Sequence, residues 1–248
     1  MRNEEAILED CLTRLAFADE LVVVLDRCTD GSRVIAARYA DTLIEGAWEI
    51  EGDRRNLGIR ACSGEWVLEI DADEWVAEDM GREVRSVIAT DAYDAFDYPV
   101  LNHVGGRLLR YGWGGLFGAT AFPGLFRSGY KRWGHARVHP HVEVGGRRGP
   151  MLANGVLHHV DRSISDMLRR LDRCTDLRAL DLIELGEANV GLTELMRRTI
   201  SRFWKIFVVR KGYKEKEIGF MIALCGAIYP LIAHIKAQEQ LQQRGRQA

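Results

Sequence analysis

The first eighty residues alternate between helical apolar patterns and short apolar runs. Residues 4–16 carry apolar side chains at helical spacing, which predicts an amphipathic helix. Residues 20–25 form a continuous apolar run, which is typical of a strand buried on both faces of a parallel sheet. Further helical patterns occupy 33–39 and 54–62, and further strand patterns occupy 43–44 and 66–70. This alternation predicts an α/β fold with a doubly wound, mostly parallel sheet and flanking helices.

The strand pattern at 66–70 ends in a cluster of carboxylates. Asp71, Asp73 and Glu74 follow one another within four residues. In an extended segment, residues two apart project to the same side, and ligands of open α/β sheets bind at the carboxyl ends of strands. Two such carboxylates can hold a hard divalent cation, which in turn holds a diphosphate. The alternative is a solvated acidic turn after an edge strand.

The pattern changes after residue 79. A helical pattern at 80–89 and a strand pattern at 95–100 precede a stretch rich in glycine and aromatic residues at 105–115, and from residue 163 the chain is helical. We predict a catalytic domain over residues 1–162, with halves 1–79 and 80–162, and a helical extension over residues 163–248. The middle part is loop-rich, and we expect it to line a pocket.

The helical extension contains a cationic stretch. Residues 197–216 include eight lysines and arginines interleaved with Phe203, Trp204, Phe207 and Tyr213, and a mostly apolar segment follows. This pattern suits an anionic membrane surface; the alternative is a solvated helical face packed on the catalytic domain. The apolar run at 219–233 is too short and interrupted for a membrane span, and we expect Gly226 and Pro230 to kink its helix.

Composition narrows the function classes. The formal net charge of -2 argues against general nucleic-acid binding, and five scattered cysteines without a Cys-x-x-Cys pair predict reduced thiols in a cytosolic compartment. Residues 1–5 lack the apolar region of a signal peptide. The chain begins with a helix, whereas the first helix of such a unit normally follows a strand. We therefore expect the first strand of the sheet to be missing from the chain, leaving its neighbours unpaired along an edge.

Several short motifs in order suggest a family. They are Arg2-Asn3-Glu4-Glu5, Val22-Val23-Val24-Leu25-Asp26 with Thr29-Asp30-Gly31-Ser32, Arg55-Asn56, and Asp71-Ala72-Asp73-Glu74. Together they resemble the family 2 glycosyltransferases with the GT-A fold. The second half, with Leu101-Asn102-His103, Leu125-Phe126-Arg127, Val138-His139 and Leu157-His158-His159, is similar to the bacterial subgroup that contains lipopolysaccharide core glucosyltransferases.

The resemblance implies a metal-dependent, inverting transfer. The donor is a nucleotide sugar, with a UDP-sugar favoured, the cofactor is Mn²⁺ or Mg²⁺, and the acceptor is a hydroxyl of a bacterial surface glycan or lipid-linked glycan. The enzyme is expected in the cytoplasm, peripheral on the inner face of the cytoplasmic membrane. The metal ligands implied are Asp73 and His158, with His159 as a rival for His158. The nucleotide-binding residues implied are Glu4, Asp26, Asp30, Arg55, Asn56 and Asp71.

Two roles remain open at this point. Inversion by a single displacement needs a general base, and Val138-His139-Pro140-His141-Val142-Glu143 departs from the Val-His-Glu motif that the subgroup often has. We predict Glu143 as the base, with Asp97 and His141 as alternatives; Glu143 also fits an exposed strand residue. Tyr111, Trp113 and Trp133 are predicted to stack on acceptor sugar rings, although large aromatic residues are more often core residues.

A hypothesis of a different class is a non-catalytic scaffold. In that case a degenerate transferase fold binds a partner or a membrane through its basic helices. The missing first strand and the altered Val-His-Glu motif motivate this alternative. It predicts that the chain does not bind nucleotides in a metal-dependent way.

Overall fold

The computed structural model describes residues 1–113, 119–138 and 140–247. The chain forms two compact units. The first contains Met1–Asn102 and Thr120–His159, and the second contains His103–Ala119 and Val160–Ala248. Residues 103–119, which the sequence pattern places in the first predicted domain, therefore lie in the same unit as the C-terminal helices.

The first six elements follow the predicted order. They are α1 (Glu5–Thr13), β1 (Val22–Asp26), α2 (Ser32–Ala36), β2 (Thr42–Gly46), α3 (Glu51–Ala61) and β3 (Trp66–Leu68). Strands β1 and β2 pair in parallel, from Val22 opposite Thr42 to Asp26 opposite Gly46. A parallel pair needs a crossover connection, and α2 supplies it. The α/β alternation predicted from the apolar pattern is confirmed.

A second, larger sheet has six strands. The elements that follow β3, up to residue 161, are β4 (Glu74–Val76), α4 (Met80–Ile88), β5 (Ala95–Val104), β6 (Arg107–Leu108), β7 (Ala121–Arg127), β8 (Lys131–Trp133), β9 (Val142–Val144) and β10 (Val156–Asp161). The order is β3-β7-β5-β10-β4, with β6 on the end of β5. The pairs β3–β7, β5–β7 and β4–β10 are antiparallel. Apolar patterns identify strands but not their partners, so these antiparallel pairs were not predicted.

Residues of β1 and β3 line one cavity. The cavity has a volume of about 160 Å³, and its lining includes Val22, Val23 and Val24 of β1, and Leu68 of β3. Within the described residues, β1 pairs with β2 and β3 pairs with β7, but β1 does not pair with β3. Met1 hydrogen-bonds to β1: its amino group donates to the Val24 carbonyl oxygen at 3.0 Å, and its carbonyl oxygen accepts from the Asp26 N–H at 2.8 Å.

The core of the first unit holds the end of β3 in place. Phe96 and Tyr98 of β5 are almost fully buried. The Tyr98 hydroxyl donates a hydrogen bond of 2.7 Å to the main-chain oxygen of Glu69. Gly124 of β7 leaves room for the Tyr98 ring, because a Cβ atom there would lie 2.1 Å from Tyr98 Cε1. This contact fixes the chain just before the acidic cluster.

The second unit is helical. Helix α5 (Ile164–Glu184), helix α6 (Leu192–Trp204), a π-helical turn (Lys205–Val209), a 3-10 turn (Gly212–Glu215) and helix α7 (Lys216–Gln247) follow in order. Met167, Leu171, Ile222 and Tyr229 form its core together with Trp113. Helix α7 continues as one helix through Pro230. The predicted fold class, an α/β domain followed by a helical C-terminal part, is confirmed.

Candidate active site

The acidic cluster forms a tight turn between β3 and β4. The Glu74 main-chain N–H donates to the Asp71 carbonyl oxygen at 3.0 Å, and the Asp71 N–H donates to Glu74 Oε2 at 3.1 Å. The sequence predicts that the two aspartates project to the same side of an extended segment. In the structure they lie in a turn and face different partners. Asp71 meets a cation from α3, and Asp73 meets an imidazole from β10.

Arg55 is the cation beside Asp71. Its guanidinium lies 2.9 Å from Asp71 Oδ1, 2.9 Å from Glu69 Oε1 and 2.8 Å from Glu51 Oε1. It also lies over the Trp133 ring, 4.7 Å from the centroid. Burial disfavours the charged guanidinium, but Asp71 and the two glutamates outweigh it and raise the pKa of Arg55 further. Arg55 is thus held as a fixed cation at the end of β3.

A second buried cation, which the sequence patterns did not single out, supports this arrangement. The side chain of Lys131 is fully buried. Its Nζ lies 2.6 Å from Glu69 Oε2 and donates to the Pro123 carbonyl oxygen at 2.8 Å. Burial lowers the pKa of Lys131, and Glu69 partly offsets that shift. Glu69 therefore bridges Lys131 and Arg55, and Trp133 Nε1 donates to the same carboxylate at 3.1 Å.

Asp73 faces His158. Asp73 Oδ2 lies 3.3 Å from His158 Nε2, and the other ring nitrogen, Nδ1, lies 2.9 Å from Asn102 Oδ1. Asn102 is fully buried. Burial favours the neutral ring, but Asp73 outweighs it and raises the pKa of His158. The amide of Asn102 thus orients the imidazole toward Asp73.

His159 points elsewhere. Its ring packs on Trp75 with the centroids 4.2 Å apart, and its main-chain N–H donates to the Asp73 carbonyl oxygen at 2.9 Å. Alternate residues of a strand face opposite sides. Of the two histidines that the sequence offers, the fold therefore brings the ring of His158 to the Asp73 carboxylate.

The donor atoms at this turn fit a hard cation in part. Among residues 1–113, 119–138 and 140–247, no group of three or more histidine, cysteine and carboxylate side chains is arranged to hold a metal ion. Asp73 and His158 offer one carboxylate and one imidazole, and the bond to Asn102 is the kind that orients metal-ligating histidines. A divalent cation would take its other ligands from a diphosphate and water, as Mg²⁺ commonly does.

Asp26 ends β1 and is already engaged. Its Oδ1 accepts from Arg27 Nε at 2.8 Å and from the Trp48 N–H at 3.2 Å, and its Oδ2 lies 3.4 Å from Arg54 Nη1. Burial raises the pKa of this carboxyl, but the Arg27 and Trp48 hydrogen bonds, with Arg54, lower it overall. Asp26 is therefore an ionised group at the end of a parallel strand.

Three other predicted nucleotide-binding residues organise local backbone. Asp30 accepts hydrogen bonds of 3.0 Å from the Glu5 and Ser32 N–H groups. The Glu4 N–H donates to Ser32 Oγ at 3.0 Å. Asn56 exchanges two hydrogen bonds, of 2.8 and 2.9 Å, with the main chain of Trp133. These contacts join α1 to the loop after β1 and join α3 to β8.

Glu143 lies on the outer side of the β8–β9 hairpin. It pairs with Arg132, whereas Lys131 and Trp133 alternate to the other side, where Lys131 and Trp133 contact Glu69. Glu143 and His141 are exposed, and Asp97 is paired with Arg148. His139, part of the altered motif, lies outside the described residues. The structure does not bring any of the three candidate bases to Asp73.

Two of the aromatic residues expected to stack on acceptor sugars are buried instead. Trp113 is 4% exposed and donates its ring N–H to the Leu109 carbonyl oxygen at 2.7 Å. Trp133 is 8% exposed, with Arg55 over its ring and the Phe122 ring stacked at a centroid distance of 6.0 Å. Neither offers an open ring face to a sugar, which corrects the prediction; both rings are core groups. Tyr111 is half-buried, with the Lys214 ammonium 4.8 Å from its ring centroid.

The sequence as a whole matches a known family. The model of the family described as Glycosyl transferase family 2 matches residues 1–135. The chain belongs to glycosyl transferase family 2. The resemblance seen in the motifs is confirmed, and the protein is a glycosyltransferase. The matched region contains Asp26, Arg55, Asp71 and Asp73, and ends before His158.

Individual relatives are distant but extend over nearly the whole chain. The lipopolysaccharide core biosynthesis glycosyltransferase LpsC of Rhizobium meliloti is 22% identical, over 96% of this chain and 89% of its own length. An uncharacterized glycosyltransferase, RT0209 of Rickettsia typhi, is 22% identical over 96% of this chain and 84% of its own. Among solved structures, S. aureus TarS 1-349 in complex with UDP-GlcNAc has a TM-score of 0.47 at 14% identity, and the match covers 95% of this chain and 86% of that one.

Proposed function

We propose that this glycosyltransferase moves a sugar from a UDP-sugar to a hydroxyl group, with inversion and with Mn²⁺ or Mg²⁺ bound at Asp73 and His158. The main support for the proposal is that two charged pairs meet at one turn. Asp71 holds Arg55 on one side, and Asp73 meets His158 on the other. A guanidinium and a metal ion at the same turn are two groups that bind a diphosphate.

The proposed metal ligands are Asp73 and His158, and a buried hydrogen bond orients the histidine. Asn102 orients His158, so that Nε2 faces Asp73. When bound, the cation neutralises the charge that develops on the departing diphosphate. The chain's own contribution is to place Asp73, the residue just before β4, beside His158 of β10, where β4 pairs with β10.

The nucleotide is proposed to bind along the ends of β1 and β3. Asp26, ionised and buried at the end of β1, is the proposed partner of the base. Asp71 and Arg55 are assigned to the ribose and diphosphate. Glu4, Asp30 and Asn56 shape the surrounding backbone through their hydrogen bonds.

The acceptor is proposed to be a hydroxyl of a bacterial surface glycan or lipid-linked glycan. The relative LpsC, which is named for lipopolysaccharide core biosynthesis, aligns with 96% of this chain. Such an acceptor is anchored in a membrane. We therefore place the enzyme on the cytoplasmic side of the cytoplasmic membrane, in a peripheral position, with residues 1–162 as the catalytic domain.

The experiment that tests this function is calorimetric titration with UDP, GDP and dTDP, each with and without Mn²⁺. We expect UDP to bind with Mn²⁺ and to bind much more weakly without it. Asp73→Ala should abolish the effect of Mn²⁺ and leave the circular dichroism spectrum unchanged, because Asp73 is partly exposed. Asp79→Ala, which alters a more exposed aspartate of the same segment, is the matched control.

Two results of this titration would contradict the proposal. If the folded wild-type chain binds none of the three nucleotides in the presence of Mn²⁺, the proposed metal-dependent mechanism is wrong. If Asp73→Ala keeps full Mn²⁺-dependent binding, Asp73 is not the metal ligand.

Glu143 stays the proposed general base. The exposed position of its carboxylate on β9 leaves it open to an acceptor hydroxyl. Glu143→Gln should leave UDP binding intact and lower the rate of transfer by about 100-fold or more, the usual contribution of a general base. Arg132→Gln, on the same side of the hairpin, should transfer normally. Normal turnover of Glu143→Gln would assign the base to Asp97 or His141.

A further inference from the structure

Helix α6 exposes a continuous apolar stripe. Leu192, Met196, Ile200 and Trp204 are spaced four residues apart, and they are 67%, 54%, 66% and 61% exposed. Side chains at this spacing are neighbours on a helix surface. Leu195, on another side of the same helix, is 5% exposed. Only part of the apolar surface of α6 is therefore covered by the rest of the chain.

The stripe continues onto α7 through a cluster of phenylalanines. Phe203 stacks on Phe207 with the ring centroids 5.4 Å apart, and it meets Phe220 at 5.6 Å. Phe220 and Leu224 of α7 are 46% and 37% exposed. Soluble monomers rarely expose an apolar surface of this extent unless it binds something. We call the surface formed by Leu192, Met196, Ile200, Trp204, Phe220 and Leu224 the α6 face.

The segment beside the α6 face has a one-sided charge. Residues 197–216 contain eight cations and one acid, Glu215. That acid is buried, 3.1 Å from Arg107, and accepts from the Arg110 N–H at 2.7 Å. Within the described part of the chain, the exposed Lys205, Lys211 and Lys216 have no carboxylate within ion-pair distance. The outward charge of this segment is therefore positive.

The turn between α6 and α7 has a fixed shape. A Cβ atom on Gly219 would lie 1.9 Å from the Gly212 carbonyl oxygen, and one on Gly212 would lie 2.9 Å from the Ile206 carbonyl oxygen. Such close backbone packing requires glycine at both positions. The backbone that carries the lysines of the turn therefore has a defined conformation.

We propose that the α6 face docks on an anionic lipid bilayer, with α6 lying in the plane of the membrane. Its apolar stripe enters the boundary between headgroups and acyl chains, and Lys205, Lys211 and Lys216 meet lipid phosphates. Charge complementarity favours a bilayer over a second copy of the chain, because two copies would bring lysines against lysines. This inference rests on the proposed function, because it assumes a lipid-linked acceptor. The α6 face is the surface that brings the enzyme to that acceptor.

Helix α7 has a different role in this arrangement. The helical segment Gly212–Arg244 is long and apolar enough to cross a membrane, and 44% of its most apolar window is buried. Core helices of soluble proteins share these properties. Ile222 and Tyr229 of α7 are almost fully buried with Met167 of α5. Helix α7 is therefore the support against which α6 is presented.

The test is sedimentation of the full chain with lipid vesicles. Vesicles of phosphatidylcholine alone are compared with vesicles that also contain phosphatidylglycerol. We expect binding to the anionic vesicles only, and loss of that binding at high salt. The double variant Lys205→Glu with Lys211→Glu should lower the affinity by about 30-fold or more, at about fivefold for each lysine lost. Arg82→Glu, an exposed change in the first unit, should have no effect.

A second variant tests the apolar stripe. Ile200→Ser with Trp204→Ser should weaken vesicle binding by at least about tenfold, whereas Leu185→Ser, 64% exposed elsewhere in the second unit, should not. Failure of the wild-type chain to bind anionic vesicles would overturn the proposal. So would full binding by the serine double variant, or a wild-type dimer that this variant dissociates. UDP titration of the same samples is independent of lipid, so it separates failure of docking from failure of the proposed function.

Discussion

Two clusters of cations and aromatic rings in this chain lie in opposite environments. In the first unit, Arg55 and Lys131 are buried against Trp133, and each lies within 3.0 Å of a carboxylate. In the second unit, Lys205 and Lys211 are exposed, and Trp204, which precedes Lys205 in the chain, is 61% exposed. The residue types are the same. Burial and pairing distinguish a network that positions a site from a surface that is open to a partner.

The largest difference between the clusters should appear when a cation is removed from each. Arg55→Met leaves Glu51, Glu69 and Asp71 without their shared cation, and removing one partner of a buried ion pair costs about 3–5 kcal/mol. Lys211→Met removes an exposed cation, and such surface changes alter stability by less than about 0.5 kcal/mol. Urea unfolding of the two variants measures both effects. Equal losses of stability would show that the distinction between the clusters is false.

A smaller effect separates two neighbours on β8. Lys131 faces inward and Arg132 faces outward. Lys131→Met leaves one oxygen of Glu69 without its cation, while Arg55 and Trp133 keep their contacts, so we expect a loss of about 1–3 kcal/mol. UDP affinity should also fall, since Glu69 helps to orient Arg55. Arg132→Met should change neither quantity, and a normal UDP affinity in Lys131→Met would remove Lys131 from the positioning network.

Lys131 also makes a prediction about pH. Its pKa in the folded chain lies below the ordinary value of 10.5 because of burial. Between the two values the unfolded chain binds more protons than the folded chain, so this lysine makes stability rise with pH there. The difference in unfolding free energy between wild type and Lys131→Met should therefore change in that direction as the pH approaches about 10.5. A difference that does not depend on pH would contradict the buried charge.

Much of the fold was predictable because burial on both faces leaves a signature in the sequence. The run at 20–25 and the helical spacing at 4–16 correspond to β1 (Val22–Asp26) and α1 (Glu5–Thr13). The antiparallel pairing of β7 with β3 and β5 was not predictable, because strand patterns carry no information about partners. The sequence predicts a helix kinked at Gly226 and Pro230, and α7 is one helix that continues through Pro230; Ile222 and Tyr229, which precede this position, are almost fully buried.

Site residues were predictable only where they belong to a sequence motif. Asp73 and His158 came together as the resemblance implies, but Asn102, Glu69 and Lys131 have no local signature. A lysine on a short strand is expected at the surface, and only the structure shows that this one is buried. The stripe on α6 was missed for the converse reason: its apolar residues look like core residues, and only their exposure shows that the chain leaves them uncovered.

The two adjacent histidines allow a direct test of the proposed metal ligands, Asp73 and His158. Electron paramagnetic resonance can measure Mn²⁺ binding to the UDP-loaded chain for wild type, His158→Phe and His159→Phe. A phenylalanine at position 159 can retain the ring packing on Trp75, whereas at position 158 it removes the contact with Asp73. We expect loss of Mn²⁺ binding in His158→Phe and wild-type binding in His159→Phe. Wild-type binding in His158→Phe, or loss confined to His159→Phe, would contradict this expectation.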